Sequence, residues 1–132
     1  DTLVFCAPLA EAEEWTIAYT HSVNRRPVYD TLRLEGNGLR ILRSRFDAFG
    51  AGMPDGSVPD DALRLGPDGW LECRVDRRLP DLTIRVGRVA GHQLRIKGRT
   101  IPLTNFAPPG SALRFSAAHW SRYQFWKGRC TW

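Results

Sequence analysis

Hydrophobic and polar residues alternate with a period of two through much of the chain. The alternation is clearest in four segments, Trp15–Tyr19, Val28–Leu34, Leu39–Arg43 and Leu82–Val86. Successive side chains of a strand point to opposite faces, so this pattern predicts strands with one buried and one solvated face. Short strands at this spacing predict an all-β fold, either a single antiparallel β-sandwich or a small barrel.

Turn signals separate the predicted strands. Gly36–Gly38 predicts a tight hairpin, because glycine adopts positive φ without strain, and Pro67–Gly69 predicts a second turn before the strand Trp70–Val75. Residues 47–62 are rich in glycine, proline and aspartate, which predicts a long structured loop at one end of the sheet.

Two segments have helical potential. The first, residues 10–14, is very short, whereas Ala117–Lys127 has Ser116 and Gly128 as candidate cap residues. A short C-terminal helix is therefore compatible with the all-β prediction.

The length and composition are those of one globular domain. At 132 residues, with 42% hydrophobic and 25% charged residues, the chain should bury roughly two-thirds of its unfolded surface. We find no repeat or linker, so residues 1–132 are predicted to form a single domain. No run approaches the roughly 20 apolar residues that a membrane-spanning helix requires.

The chain is basic, with a formal charge of +5 that comes mainly from arginine, since Lys97 and Lys127 are the only lysines. Guanidinium groups bind carboxylates and phosphates in a bidentate manner, which favours acidic partners or anionic head groups. The arginines form no continuous tract. Arg33, Arg85 and Arg95 lie between apolar neighbours and Arg43 follows Leu42, which is typical of the solvated face of a sheet.

Two sequence blocks are unlike generic strand-and-turn sequence. Residues 19–30 are YTHSVNRRPVYD and residues 45–54 are RFDAFGAGMP, and we expect both blocks at one end of the fold. Together with the segment Gly91–Leu103, they resemble the bacterial domain-of-unknown-function family DUF1850.

That family is known chiefly as a companion of TRAP transporters of the TAXI subgroup. The resemblance implies a non-enzymatic, periplasmic or otherwise extracytoplasmic accessory module of such a solute uptake system. It implies contact with the transporter's membrane subunits, its solute-binding protein or a small anionic solute. Members typically carry an N-terminal hydrophobic segment, so a membrane anchor preceding Asp1 is also expected from the resemblance.

The two blocks are candidates for a small anion-binding site. Arginine and histidine side chains of the first block could converge on a carboxylate or phosphate, and backbone N–H groups beside the glycines of the second block could approach it closely. The candidate ligand-binding residues are Tyr19, His21, Ser22, Arg25, Arg26, Asp30, Phe49, Gly50 and Gly52. A structural alternative is that His21 and Ser22 satisfy backbone groups where the chain turns.

An enzymatic alternative uses His21 as a base oriented by Asp30, as in a small hydrolase or lyase. Ser22 is badly placed as the nucleophile, because adjacent residues of a strand point to opposite faces and no G-x-S-x-G turn is present. No catalytic residue is therefore assigned.

The tail, residues 118–132, mixes aromatic and basic side chains. Such a mixture suits a partner or membrane interface, and Trp120, Tyr123 and Trp126 are the candidate partner-binding residues. The alternative is that these rings pack against the sheet. The tail and the arginine face together also suggest an anionic lipid or cell-envelope binder, whereas nucleic acid is not an expected partner because no aromatic platform motif is visible.

Cys6, Cys73 and Cys130 lack the close spacing of a zinc or thioredoxin-like site. In an oxidising compartment one pair could form a disulfide, and the alternative is that all three are small buried or free thiols. The aspartates of residues 55–61 do not match a calcium-binding loop, so no metal and no cofactor is expected.

Overall fold

The computed structural model describes residues 3–20, 25–47, 63–88 and 90–119. Within these ranges nine strands form two antiparallel sheets. The strands are β1 (Glu14–Thr20), β2 (Pro27–Glu35), β3 (Gly38–Asp47), β4 (Leu63–Leu65), β5 (Trp70–Leu79), β6 (Leu82–Arg85), β7 (Gln93–Ile96), β8 (Arg99–Pro102) and β9 (Ala112–Phe115). A 3₁₀ turn at Leu103–Asn105 is the only helical element of these residues.

Seven strands form the large sheet, in the order β4-β5-β3-β2-β1-β7-β8, and β6 pairs with β9 in a separate small sheet. The large sheet ends at β4 and β8 and does not close on itself. Apolar side chains of the small sheet pack against one face of the large sheet. The predicted all-β fold is therefore confirmed, as a sandwich-like arrangement and not a barrel.

Tight turns join the neighbouring strands. Gly36 has a φ of 58° in the β2–β3 hairpin, and Gly69 has a φ of 82° in the β4–β5 turn, so both predicted turns are confirmed. In the β7–β8 hairpin Lys97 and Gly98 have φ values of 51° and 76°. Two successive positive φ values are typical of a type I′ turn, whose twist matches that of the strands.

The main core lies between the two sheets. Leu32 and Leu103 are completely buried at its centre, and each such side chain contributes about 1.5–3 kcal/mol through its removal from water. The small sheet adds alternate side chains, Leu82 and Ile84 from β6 and Leu113 and Phe115 from β9. A second buried cluster lies on the same face of the large sheet and consists of Val28, Phe46, Leu71 and Cys73.

Neither helical segment forms within the described residues. Residues 10–13 form a single turn closed by a Glu13 N–H bond to the Ala10 carbonyl, and Ala117–His119 are irregular. The remainder of the C-terminal segment and the predicted loop from residue 48 onward lie outside the described residues, and those predictions stay predictions. In the part of the chain that the structure describes, no helix is long and apolar enough to cross a membrane.

Candidate functional site

A pair of polar residues interrupts the apolar face of the large sheet. Strand pairing aligns one residue from each strand in a row across the sheet, and residues directly opposite one another point to the same face. The row, from β4 to β8, is Leu63, Cys73, Ser44, Asp30, Ile17, Leu94 and Ile101. Ser44 and Asp30 therefore lie between the two apolar clusters.

Asp30 is held by two hydroxyl groups. The Ser44 hydroxyl donates a hydrogen bond of 2.7 Å to Asp30 Oδ1, and the Tyr19 hydroxyl also hydrogen-bonds the carboxylate. Among the described residues no arginine, lysine or histidine pairs with it. Burial raises the pKa of Asp30, and the bonds from Ser44 and Tyr19 lower that pKa only in part. A desolvated carboxylate without a counter-ion is typical of a functional or fold-specifying position.

Tyr19 connects this carboxylate to both clusters. Its ring packs against the main core and the second cluster, while its hydroxyl reaches Asp30. Burial raises the pKa of Tyr19 to about 12, and the charge and hydrogen bond of Asp30 act in the same direction. The hydroxyl is therefore protonated at neutral pH and acts as a hydrogen-bond donor.

His92 extends the polar group beyond the sheet row. Its ring lies 5.3 Å from that of Tyr19, centroid to centroid, at an interplanar angle of 31°. The Gly87 N–H donates to His92 Nδ1 over 3.3 Å, which requires the proton of the neutral ring to be on Nε2. Burial lowers the pKa of His92, so the ring is neutral at physiological pH. We define the polar cluster as Ser44, Asp30, Tyr19 and His92.

Sequence reasoning identified two members of this cluster and missed two. Ser44 belongs to no motif, although its spacing from Phe46 in a strand placed it on a buried face. His92 is distant from the first signature block in sequence, but pairing of β1 with β7 brings it beside Tyr19. The cluster can hold or exchange a proton at Asp30, and it offers a donor at His92 Nε2.

A family model described as "Domain of unknown function (DUF1850)" matches residues 15–103. The chain belongs to the DUF1850 family. The matched region contains all four residues of the polar cluster and extends through β8, but β9 lies outside it. No curated protein and no solved structure matched the chain.

The predicted anion-binding residues of this DUF1850 chain are only partly described. Arg25 is exposed and has a φ of 57°, and Arg26 pairs with Asp47 over 3.2 Å, so its charge is already partly compensated. His21, Ser22, Phe49, Gly50 and Gly52 lie outside the described residues, as do Trp120, Tyr123 and Trp126. The anion site and the tail interface therefore remain predictions.

The opposite face of the large sheet, which we call the outer face, is lined with arginines. Arg33, Arg43 and Arg95 point there, as predicted for a solvated sheet face, whereas Arg85 lies on the small sheet and donates to the Gly110 carbonyl. The described residues place no second layer over the outer face. Carboxylates partly balance its charge: Arg40 pairs with Glu35 at 2.8 Å.

Aromatic rings and guanidinium groups form a row on this face. Tyr29 and Trp70 have ring centroids 5.8 Å apart, with Arg95 placed 4.9 Å from the Tyr29 ring and Arg45 placed 5.1 Å from the Trp70 ring. We call these four residues the aromatic–arginine row. Exposed cation–π contacts contribute about 0.5–1 kcal/mol each, so the row orders long side chains that would otherwise be mobile.

The described residues contain no group of three or more histidine, cysteine, aspartate or glutamate side chains arranged to hold a metal ion. Cys6 is disulfide-bonded, whereas Cys73 is a buried free thiol in the second cluster. Cys130 lies outside the described residues.

Proposed function

We propose that this DUF1850 chain is a non-enzymatic extracytoplasmic binding module that serves as an accessory of a TRAP-type solute uptake system of the TAXI subgroup. Its partner is the solute-binding protein or a membrane subunit, bound through the outer face. The observation that carries the proposal is the aromatic–arginine row on a sheet face that no other described layer covers. Family membership supports the transporter setting.

The composition of the row supports a role in protein recognition. Tyrosine, tryptophan and arginine are enriched at interface hot spots, because each combines a large contact area with a directed polar group. Here the rings and guanidinium groups already contact one another, so less side-chain entropy is lost on binding. A partner with exposed carboxylates would complement Arg95, whereas Arg45 is already paired with Asp68 at 2.6 Å.

The disulfide supports the proposed compartment. Disulfides persist in the periplasm and other oxidising spaces, and they are rare in the cytosol. Cys6 is disulfide-bonded at a point where the N-terminal segment packs on the core through Phe5 and Ala7. The bond therefore anchors a segment that has no strand pairing of its own within the described residues.

The polar cluster supports a structural rather than a catalytic role for Asp30. Its two hydroxyl partners come from the flanking strands β1 and β3, so the three side chains fix the register of neighbouring strands. A shift of one strand by one residue relative to its neighbour would bury an arginine in place of an apolar side chain. We infer that Asp30 specifies strand pairing at the family's signature block.

The test is direct binding of purified partners from the same source. The native chain should bind the solute-binding protein or the membrane subunits, and Arg45→Glu combined with Arg95→Glu should abolish that binding. Arg88→Glu combined with Arg114→Glu changes the net charge by the same amount at two exposed arginines outside the large sheet, so this double variant is the matched control and should bind normally. Circular dichroism would verify the fold of each variant.

Three results would count against this proposal. One is that the native chain binds neither partner, and another is that the double variant binds as well as the control. The third is binding only to phosphatidylglycerol vesicles, which would instead favour an anionic lipid or cell-envelope binder.

A second candidate function is a small hydrolase or lyase that uses Asp30. The raised pKa of this partly buried carboxylate favours it, because proton-transferring groups in active sites often have such shifts. This candidate predicts turnover in a substrate screen that is lost in both Asp30→Asn and His21→Ala while the variants remain folded. Absence of turnover by the native chain in this screen would contradict the hydrolase or lyase function.

A further inference from the structure

A cavity of about 560 Å³ lies at the end of the sandwich near the β2–β3 hairpin. Its walls include apolar side chains of the large sheet, such as Leu39 and Leu94. The N-terminal segment, residues 3–9, and the segment 113–119 form the other sides. Both of these segments lie outside residues 15–103, the region that the family model matches. The two ends of the chain therefore build much of this cavity.

The walls of the cavity are mainly apolar. Most of its described lining residues are aliphatic or aromatic, and none of them is aspartate, glutamate or lysine. Protein interiors are close-packed and contain few voids larger than a water molecule. An apolar space of this size favours apolar groups over water. We therefore expect other apolar groups to lie against these walls.

The cysteines show which part of the chain comes to this cavity. Cys6 lies in the cavity wall and is disulfide-bonded. The chain has three cysteines, and Cys73 is a buried free thiol in the second cluster. Within the chain, elimination leaves Cys130 as the partner of Cys6. A disulfide holds its two Cα atoms about 4.4–6.8 Å apart, so this pairing requires Cys130 to lie at the cavity wall.

The segment that leads to Cys130 also starts at the cavity. His119 lines the cavity, and its Nε2 donates a hydrogen bond of 2.9 Å to the Gly36 carbonyl. A fully extended chain covers at most about 3.3–3.6 Å per residue, so residues 120–129 are long enough to cross the cavity. With one end at His119 and the other at Cys6, this segment must stay close to the cavity.

The composition of residues 120–129 matches the apolar walls. Four of these ten residues are aromatic: Trp120, Tyr123, Phe125 and Trp126. Each aromatic side chain buries about 150–250 Å² when it leaves water. The basic side chains of the segment are long, so their charged ends can stay in water while their stems lie on apolar surface. The segment can therefore cover the cavity without burying a charge.

We propose that residues 120–129 pack across this cavity as an aromatic strap, held at one end by His119 and at the other by a Cys6–Cys130 disulfide. The strap covers the apolar walls with aromatic rings of the same chain. The tail is then an internal contact in the oxidised chain, and the outer face is left as the surface for a protein partner. This inference does not rest on the transporter role, because it concerns a different part of the molecule.

The first test counts the free thiols of the unreduced, unfolded full chain by alkylation and locates them by peptide mass spectrometry. In the native chain we expect one alkylated thiol, at Cys73, and a linked peptide pair that joins Cys6 to Cys130. Cys130→Ser should release Cys6 and raise the count to two. Cys73→Ser is the matched control, because it removes the other thiol and should leave the linked pair intact.

The second test measures packing of the strap while the disulfide is intact. Trypsin cleaves after Lys127, and its rate on the folded chain reports how often the strap leaves the cavity. Leu3 lines the cavity and is 45% exposed, so the protein should tolerate Leu3→Glu. The new charge in the wall should accelerate cleavage after Lys127 by about fivefold or more.

Leu65→Glu is the matched control for this measurement. Leu65 is an exposed leucine that is not among the described residues lining the cavity. Its substitution should change the cleavage rate by less than about twofold, as is usual for surface positions. Unchanged circular dichroism would show that each variant is folded.

Several results would overturn the inference. A linked pair that joins Cys6 to Cys73, or to Cys6 of a second copy, would remove the anchor of the strap. Equally fast cleavage after Lys127 in the native chain and in Cys130→Ser would show that the disulfide does not hold the segment in place. Equal cleavage rates in Leu3→Glu and Leu65→Glu would place the segment away from the cavity.

Discussion

Ser44→Ala removes one oxygen atom from the apolar face of the large sheet and tests the polar cluster directly. The lost hydrogen bond is 2.7 Å long and ends on a carboxylate that is mostly shielded from water. Hydrogen bonds to charged groups contribute about 1.5–3 kcal/mol, against about 0.5–1.5 kcal/mol for neutral pairs. We therefore expect the free energy of unfolding at pH 7 to fall by about 1.5–3 kcal/mol.

The pH dependence of this loss is the sharper prediction. Burial raises the pKa of Asp30 above its ordinary value of 3.8, so the folded state binds the proton of this carboxyl group more tightly than the unfolded state does. The resulting contribution to the free energy of unfolding is present at acid pH, and it is lost as the pH rises through the pKa of the folded state. The Ser44 bond lowers the folded pKa, so Ser44→Ala raises that pKa further. The loss should thus be largest at neutral pH and smaller below pH 3.8.

Urea unfolding at pH 3 and pH 7, read by circular dichroism, measures this effect. The control is a double-mutant cycle with Asp30→Asn, which keeps an acceptor oxygen and removes the charge. In that background Ser44→Ala should cost only what a neutral hydrogen bond contributes, about 0.5–1.5 kcal/mol. A loss below about 0.5 kcal/mol at pH 7, or an equal loss at both pH values, would refute the reasoning.

Three further predictions concern single groups. Tyr19→Phe should remove the tyrosine that ionises near pH 12 in ultraviolet titration, and an unchanged titration curve would contradict its assignment. Because burial lowers the pKa of His92 below 6.5, the free energy of unfolding should decrease as the pH drops below that value. In His92→Gln this decrease, measured by urea unfolding at several pH values, should be smaller. Alkylation of the unfolded, non-reduced chain should label Cys73 and spare Cys6, and Cys6→Ser should destabilise the fold by about 2–5 kcal/mol. Labelling of Cys6 would exclude the disulfide.

Part of the polar cluster was predictable from local pattern. Asp30 belongs to the signature block, and its spacing from Val28 and Leu32 places it on the apolar face once the segment is identified as a strand. Its partner Ser44 belongs to no motif, and its spacing from Phe46 indicates only that it lies on the same apolar face. Only the antiparallel pairing of β2 with β3 places the two side chains opposite each other.

The sheet order explains what sequence reasoning could not reach. His92 lies far from Tyr19 along the chain, and β7 joins the large sheet next to β1, while β6 leaves to pair with β9 in the small sheet. The alternation of hydrophobic and polar residues shows which face of a strand is buried, but it does not show which strand lies next to it in the sheet. The same limit applies to the cavity lined by residues 3–9 and 113–119, whose walls come from both ends of the described chain.

The sequence by itself determined the strands, the glycine-dependent turns and the solvated arginine face, because periodicity and backbone preference are local properties. Family membership also followed from two short blocks. The tertiary structure decided which polar residues meet at Asp30, which rings stack with arginines on the outer face, and where the core leaves a cavity. These depend on contacts between strands that are distant in the chain, and burial of the apolar faces selects those contacts collectively.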